Sequence, residues 1–238
     1  MKKWLDEETK GGSTVACSPF KGLKLGQASY CSSIYLRLMG LYEKELINQV
    51  EAIIVIEPTT IIEIGAAEGY YACGFAYRLR ERTKVVAYEA DVHFRYILKR
   101  NIQRNALDPH IEVKGACSVA DLQKELNQNR GKLVIVCDAE GWEHELLDNE
   151  AMPELRRVFI LVELHDFYLP EIGLVLQQRF NRTHHISEVH SQERTHEDLG
   201  AICKHKGARF LPKSTINHFF RERPRRQTWL FLEPKIRE

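Results

Sequence analysis

Long apolar runs are missing from this sequence: none approaches the roughly 18 residues that a membrane-spanning helix needs. The first ten residues are charged and have no apolar centre, so no secretion signal is expected there. A charge bias is missing too. Lys and Arg number 34 against 33 Asp and Glu, a formal net charge of +1, which leaves no global field to draw nucleic acid or an anionic membrane. The 6 cysteines (Cys17, Cys31, Cys73, Cys117, Cys137 and Cys203) form no C-x-x-C pair, so neither a zinc knuckle nor a dithiol redox motif is expected. Cys73 and Cys137 lie in apolar stretches and read as small buried hydrophobes. A reduced, cytoplasmic setting fits them. There is no internal repeat, and the nearest thing to a biased block is the short basic run Arg221–Arg226.

What remains is a chain of 238 residues with 44% hydrophobic content, enough for one α/β domain with a modest extension. Residues 1 to about 30 read as a loose lead-in. Apolar residues at helical spacing from Ile34 to Ile53 predict one amphipathic helix on the main domain. The expected division is 1–54 for lead-in and helix and 55–238 for the domain. From there short β-branched runs alternate with amphipathic ones. Strands are expected at Thr60–Ile64, Lys84–Glu89, Ile111–Lys114, Leu133–Cys137 and Val158–Val162. Helices are expected at Gly69–Arg80, from an Asp91 cap to about Ala106, and behind a Ser118/Asp121 capping box. Pro170 is assigned to the first turn of another. Such β-α-β repetition predicts a Rossmann-like, doubly wound, mostly parallel sheet. Thr183–Val189 and Thr228–Leu232 are expected as an antiparallel terminal pair.

The segment Glu63-Ile64-Gly65-Ala66-Ala67-Glu68-Gly69-Tyr70 leaves the first strand and opens a helix. Ligands of open α/β sheets bind beyond the carboxyl ends of strands, where the strand order reverses. Gly65 permits a sharp turn and close approach of a ligand; Gly69 permits close packing. The spacing is G-x-A-x-G, and the third glycine of a dinucleotide fingerprint is replaced by Tyr70; the lysine of a phosphate-binding loop is absent as well. Glu63 and Glu68 would repel a pyrophosphate and favour a cationic ligand. Glu89 ends the second strand about 20 residues on, where an acid hydrogen-bonds ribose hydroxyls. After the third strand, Ala116, Cys117 and Ser118 are small enough to leave room for adenine.

These residues resemble the motifs of class I methyltransferases, especially the FkbM-type group. Glu63-Ile-Gly-Ala-Ala-Glu-Gly-Tyr-Tyr71 is similar to the first motif, and Val86-Ala-Tyr-Glu-Ala90 to the second. Asn101 and Asn105 match an N-x-x-x-N helix end. Asp138-Ala-Glu-Gly-Trp-Glu143 followed by Leu146-Leu147 resembles D-x-E-G-x-E-x-x-L-L. Phe159-Ile-Leu-Val-Glu-Leu-His165 resembles a strand ending in Val-Glu-x-His, and Gly40-Leu-Tyr-Glu-Lys-Glu45 the group's lead-in. Ala67 stands where Asn is usual and Ala90 where Pro is usual. The likeness runs from about Gly40 to His165. It implies an S-adenosylmethionine-dependent methyltransferase acting on an oxygen of a small molecule or sugar. It also implies a cofactor set of Glu63, Gly65, Ala66, Ala67, Glu68 and Gly69 in the first loop, Glu89, Ala90 and Asp91 after the second strand, Ala116, Cys117 and Ser118 beside adenine, and Asp138 and Ala139 toward the sulfonium.

Methyl transfer needs a nucleophile aligned with the methyl–sulfur axis and, for a hydroxyl, a proton acceptor. His165, Glu140 and Glu163 are the expected catalytic residues, with His165 favoured because imidazole titrates near neutrality. The alternative for His165 is a hydrogen-bonded structural histidine. Glu140 and Glu143 are weighed as helix caps paired with solvent. A divalent cation held by these acids and His165 is weighed and not adopted, because the sequence shows no compact ligand spacing. His184, His185 and His190 read as a solvated strand. Two other functions are weighed: RNA methylation through Arg221, Arg223, Arg225 and Arg226 with Trp229 as a stacking aromatic, and a non-catalytic binding module of the same fold. A basic solvated loop is the preferred reading of the arginines, and no nucleic acid or membrane partner is expected.

Overall fold

The computed structural model of the protein describes residues 13–17, 19–26, 34–166, 170–195, 197–198, 214 and 226–235. Seven strands form one sheet in the order β3-β2-β1-β4-β5-β7-β6. They are β1 (Thr60–Ile64), β2 (Lys84–Tyr88), β3 (Ile111–Lys114), β4 (Leu133–Cys137), β5 (Phe159–Leu164), β6 (His184–His190) and β7 (Thr228–Pro234). The first five are parallel, and β7 runs antiparallel between β5 and β6. Strands β1, β4 and nearly all of β5 are buried. That explains why their sequences are continuous apolar runs: helices cover both faces of a central parallel sheet. Among the described residues no helix is long and apolar enough to cross a membrane.

The crossover helices follow their sequence signals closely. Gly69, with φ 86°, precedes α3 (Tyr70–Leu79) of the chain. Asp91 accepts from the backbone N–H of His93 and Phe94 and opens α4 (Val92–Arg104). Ser118 and Asp121 form the expected capping box on α5 (Val119–Gln128). A four-residue turn, α6 (Glu143–Leu146), follows β4, and α7 (Ile172–Phe180) follows β5.

Four expectations are corrected. The single helix expected from Ile34 to Ile53 is two, α1 (Ile34–Met39) and α2 (Ile47–Ile56), joined through a 3-10 turn at Lys44–Leu46. Gly40 with φ 70° and Glu43 with φ 45° reverse the chain between them. The lead-in is not loose where it is described: Thr14 bridges Lys24, and Val15, Phe20, Leu23 and Leu25 are buried in the core. Phe20 lies edge-on to Tyr70 and Phe75 of α3. Pro170 precedes α7, whose N-cap is Glu171, and is not in its first turn. The fifth strand begins at Phe159 and runs on to Leu164, which carries Glu163 into the sheet.

Two cores lie on opposite sides of the sheet. One contains Ile61, Val134, Val136 and Leu161 together with the amino-terminal extension. Side chains alternate across a strand, so Glu63, Asp138, Glu163 and His165 continue this same face at the strand ends. A buried ion pair, Arg194 to Glu45 at 2.9 Å, fastens the exit of β6 to the extension on that side.

Candidate functional site at the carboxyl ends of the parallel strands

Strand order reverses between β1 and β4, which lie side by side with Ile64 opposite Cys137. Two loops leave at that point. The first begins with Gly65, whose φ is 84°; a Cβ there would stand 1.9 Å from the carbonyl oxygen of Asp138. Only glycine allows the two loops to touch at this place. The N–H groups of Gly65 and Ala66 both donate to the Tyr88 carbonyl at the end of β2. Gly69 is constrained by its left-handed φ of 86° and less severely by space, its Cβ position lying 2.3 Å from the terminal methyl of Leu98 on α4.

Between the two glycines Ala67 has φ 45°, a left-handed conformation in which Asn is far more at ease than Ala. The strain is met by Glu89, whose carboxylate accepts from the Ala67 N–H at 2.6 Å and the Asp91 N–H at 2.7 Å. A carboxylate has about four acceptor sites, so two hydrogen bonds orient it without exhausting it. Arg95 donates to the carbonyls of Glu89 and Ala90 and fixes that turn from outside. Asn101 donates to the Glu68 carbonyl at 2.8 Å, bracing the glycine loop from α4.

The acids of the first loop are differently placed. Glu63 is almost wholly buried, and its Oε2 has no hydrogen-bond partner among the described residues. Burial, reinforced by the charges of Glu89, Asp138, Glu68 and Glu43, holds its carboxyl well above the usual carboxylate range. Glu68 faces the extension instead, 2.8 Å from Arg37 Nε, with both side chains buried. That contact is an ion pair off the axis of a hydrogen bond. Its charge is thus balanced within the protein, and the expected attraction for a cationic ligand falls to Glu89 and Asp138, while burial favours the neutral form of Glu63. On the far side, Ala90, Ala116 and Ser118 are exposed and Cys117 is half-buried. A Cβ on Gly115 would meet open space, so the end of β3 has room for a flat ring.

The second loop, after β4, is shaped by side chains. Glu140 has φ 51° and Gly141 φ 105°. Glu143 is completely buried. It accepts from the N–H of Ala139 at 3.0 Å and of Gly141 at 3.0 Å, and its Oε1 is 2.8 Å from His165 Nδ1. This overturns the solvent-paired cap expected of Glu143. The motif D-x-E-G-x-E was visible in the sequence, but the partner lies 22 residues away, just past the end of β5. Burial opposes ionisation of Glu143, yet the His165 contact and the backbone N–H groups win, and its carboxyl lies below the usual range. Burial also opposes the imidazolium of His165, but the Glu143 hydrogen bond and the charges of Asp138, Glu143 and Glu140 raise its pKa.

The other face of the imidazole looks onto three more acids. His165 Nε2 is 3.4 Å from Asp138 Oδ1, 3.5 Å from Glu140 Oε2 and 3.7 Å from Glu163 Oε1. All three expected catalytic residues are thus in one place, joined by Asp138 from the cofactor set. The sequence showed no compact ligand spacing because these residues are dispersed over 28 positions. Once folded, one ligand atom from each of Asp138, Glu163 and His165 lies within 4.8 Å of the others.

One further expectation fails, and one weighed alternative loses a part. His184 is not solvated: it is buried, with Nε2 3.0 Å from the Val158 carbonyl and Nδ1 2.9 Å from the Thr183 hydroxyl. Trp229 is buried inside β7 beside Glu163 and presents no stacking face. Arg221, Arg223 and Arg225 lie outside the described residues.

No family model matches the chain, and no curated protein matches it. Solved structures do. A SAM-dependent methyltransferase from Geobacter sulfurreducens, in complex with S-adenosyl-L-homocysteine, aligns with a TM-score of 0.50 over 81% of this chain and 91% of that one, at 12% identity. An uncharacterized protein from Listeria monocytogenes serotype 4b aligns with a TM-score of 0.51 over 83% of this chain and 69% of that one, at 15% identity. At such identities the likeness is one of fold. The chain has the Rossmann-like fold of class I methyltransferases, with a seven-stranded, mostly parallel sheet.

Proposed function

We propose that this protein is an S-adenosylmethionine-dependent methyltransferase of the FkbM type, and that it methylates a hydroxyl group of a small molecule or sugar. The observation that carries this reading is the turn leaving β1. Gly65 is forced against the Asp138 backbone, and the loop is pinned by Glu89 with no lysine in it. Such a crevice suits a nucleoside that carries positive charge and lacks phosphate. The buried Oε2 of Glu63, without a partner among the described residues, fits a site that completes its hydrogen bonding when a ligand arrives. Cys73 and Cys137 are free thiols, in keeping with a reduced, cytoplasmic setting.

The cofactor supplies an electrophilic methyl group, and this chain's residues do the rest. In this reading Gly65, Ala66, Ala67 and Gly69 offer backbone to the amino-acid and ribose portions, and Glu63 lies beneath them. Glu89 uses its remaining lone pairs on the ribose hydroxyls. Ala116, Cys117 and Ser118 border the adenine, beside Ala90 and Asp91. Asp138 and Ala139 stand at the sulfonium side. The acceptor hydroxyl lines up over the mouth of β4 and β5, and its proton passes into the group formed by Glu140, Glu163 and His165.

Calorimetric titration tests the reading directly. Saturable binding of S-adenosylmethionine is expected, with no comparable binding of NAD. Incubation with a panel of hydroxylated acceptors should then release S-adenosylhomocysteine. A preference for NAD, or no binding of S-adenosylmethionine, overturns the assignment.

A further inference from the structure

The contacts of His165 divide sharply in kind. At Nδ1 the Glu143 oxygen is 2.8 Å away, an ordinary charge-assisted hydrogen bond. At Nε2 the carboxylate oxygens of Asp138, Glu140 and Glu163 are 3.4, 3.5 and 3.7 Å away. All three exceed the roughly 3.2 Å limit of a good N–H···O bond. They are close to the separation of neighbouring donors around a small cation: bonds of about 2.0–2.1 Å in tetrahedral geometry place donors roughly 3.4 Å apart.

The surroundings have the features of a metal centre. Glu143 is completely buried and holds Nδ1, so a cation that displaced the Nε2 proton would meet a lone pair directed at the acids. A carboxylate behind a ligating histidine is the usual device for fixing its tautomer and raising its basicity. Glu163 lies in β5 and His165 directly past its end, two residues apart, and Asp138 stands just past the end of the adjacent β4. The side chains of Asp138 and Glu140 are 34% and 53% exposed, which opens a path from solvent to an otherwise buried set.

We propose that Asp138, Glu163 and His165 form a binding site for one divalent cation, with Glu143 as its positioning residue and Glu140 at its open side. Two carboxylates and one imidazole make a mixed oxygen–nitrogen set, which suits manganese to zinc better than calcium or magnesium. With His165 and Glu163 engaged, Glu140 is the proton acceptor left in the group. The site adjoins the glycine turn through Asp138, but ion binding and cofactor binding are read separately, so cofactor affinity measured on the unmutated protein separates failure of this proposal from failure of the function proposed above.

The test uses the full chain freed of metal and titrated with Mn2+ by electron paramagnetic resonance, and with Zn2+ by calorimetry. One saturable ion is expected. Asp138→Asn and Glu163→Gln should each weaken it at least tenfold, and Glu143→Gln by about 10–100-fold, the range seen when such outer partners are lost. Pulsed measurement on the unmutated protein should show coupling of Mn2+ to one imidazole nitrogen, a readout that needs no variant to fold. No saturable binding up to millimolar ion overturns the proposal. So does bound Mn2+ without nitrogen coupling, or binding that Asp138→Asn leaves unchanged in a protein whose thermal transition is intact.

Discussion

The loops leaving β1 and β2 stand at the same edge of the sheet as those leaving β4 and β5, yet the two pairs are built by opposite means. The first pair is shaped by backbone. Gly65 sits where no Cβ fits, Gly69 takes a left-handed φ, and the one acidic side chain that matters, Glu89, is fixed by N–H groups. The second pair is shaped by side chains: buried Glu143 holds its own loop and His165 at once, and His165 gathers three further acids. A cradle made of backbone tolerates many neighbours and accepts one shape of ligand. A cluster made of charges depends on each member's partners and can be tuned to different acceptors without disturbing the cradle.

The largest effect expected is from Gly65→Ala. The new methyl would meet the Asp138 carbonyl oxygen, and backbone on both sides prevents relief. A loss of about 3 kcal/mol or more of stability is expected, with cofactor binding abolished; thermal unfolding and titration would read both. Ordinary stability and unchanged affinity would show that the two loops part easily, and the contrast would break.

Glu89→Ala comes next. It removes the acceptor of the Ala67 and Asp91 N–H groups, worth about 1–3 kcal/mol, and affinity for S-adenosylmethionine should fall at least tenfold. If calorimetry shows stability lost and affinity kept, Glu89 is a brace for the turn and not a ribose ligand.

The smallest effect concerns His184, a buried histidine that provides a foil for His165. It donates to the Val158 carbonyl and is satisfied as the neutral ring. Burial depresses its pKa below 6.5, with the Val158 bond opposing and Lys235 assisting. As pH falls the unfolded chain takes up this proton first. The stabilisation is therefore complete above about pH 6.5 and declines below it, through the depressed value. Denaturant midpoints measured against pH should show that decline, shallower in His184→Gln.

The same division decides what could be read from the amino acids. The parallel strands were legible as apolar runs with β-branched residues, and Asp91 and the Ser118/Asp121 box marked helix starts to the residue. The glycine turn was legible because its physics is local: the steric need of one position names its residue. The break at Gly40 was missed because apolar spacing continues across it, while the reversal is made by two left-handed residues. Phe20, Leu23 and Leu25 were missed because a short irregular segment has no period to betray its burial. The partnership of Glu143 with His165 joins residues 22 apart, and nothing local in either segment specifies it. For the same reason His184 was given to the surface, when it is buried against the Val158 carbonyl.

The buried contact of Arg37 with Glu68 has a consequence for the whole molecule. Stranding one member of such a pair inside a protein costs about 3–5 kcal/mol, a large share of the net stability of a domain this size. The strut therefore makes the first helix and the glycine turn tenants of a single lease: neither can be vacated while the other stays. Trimming the chain back to the first strand would not yield a smaller working domain but one with an evicted charge at its centre.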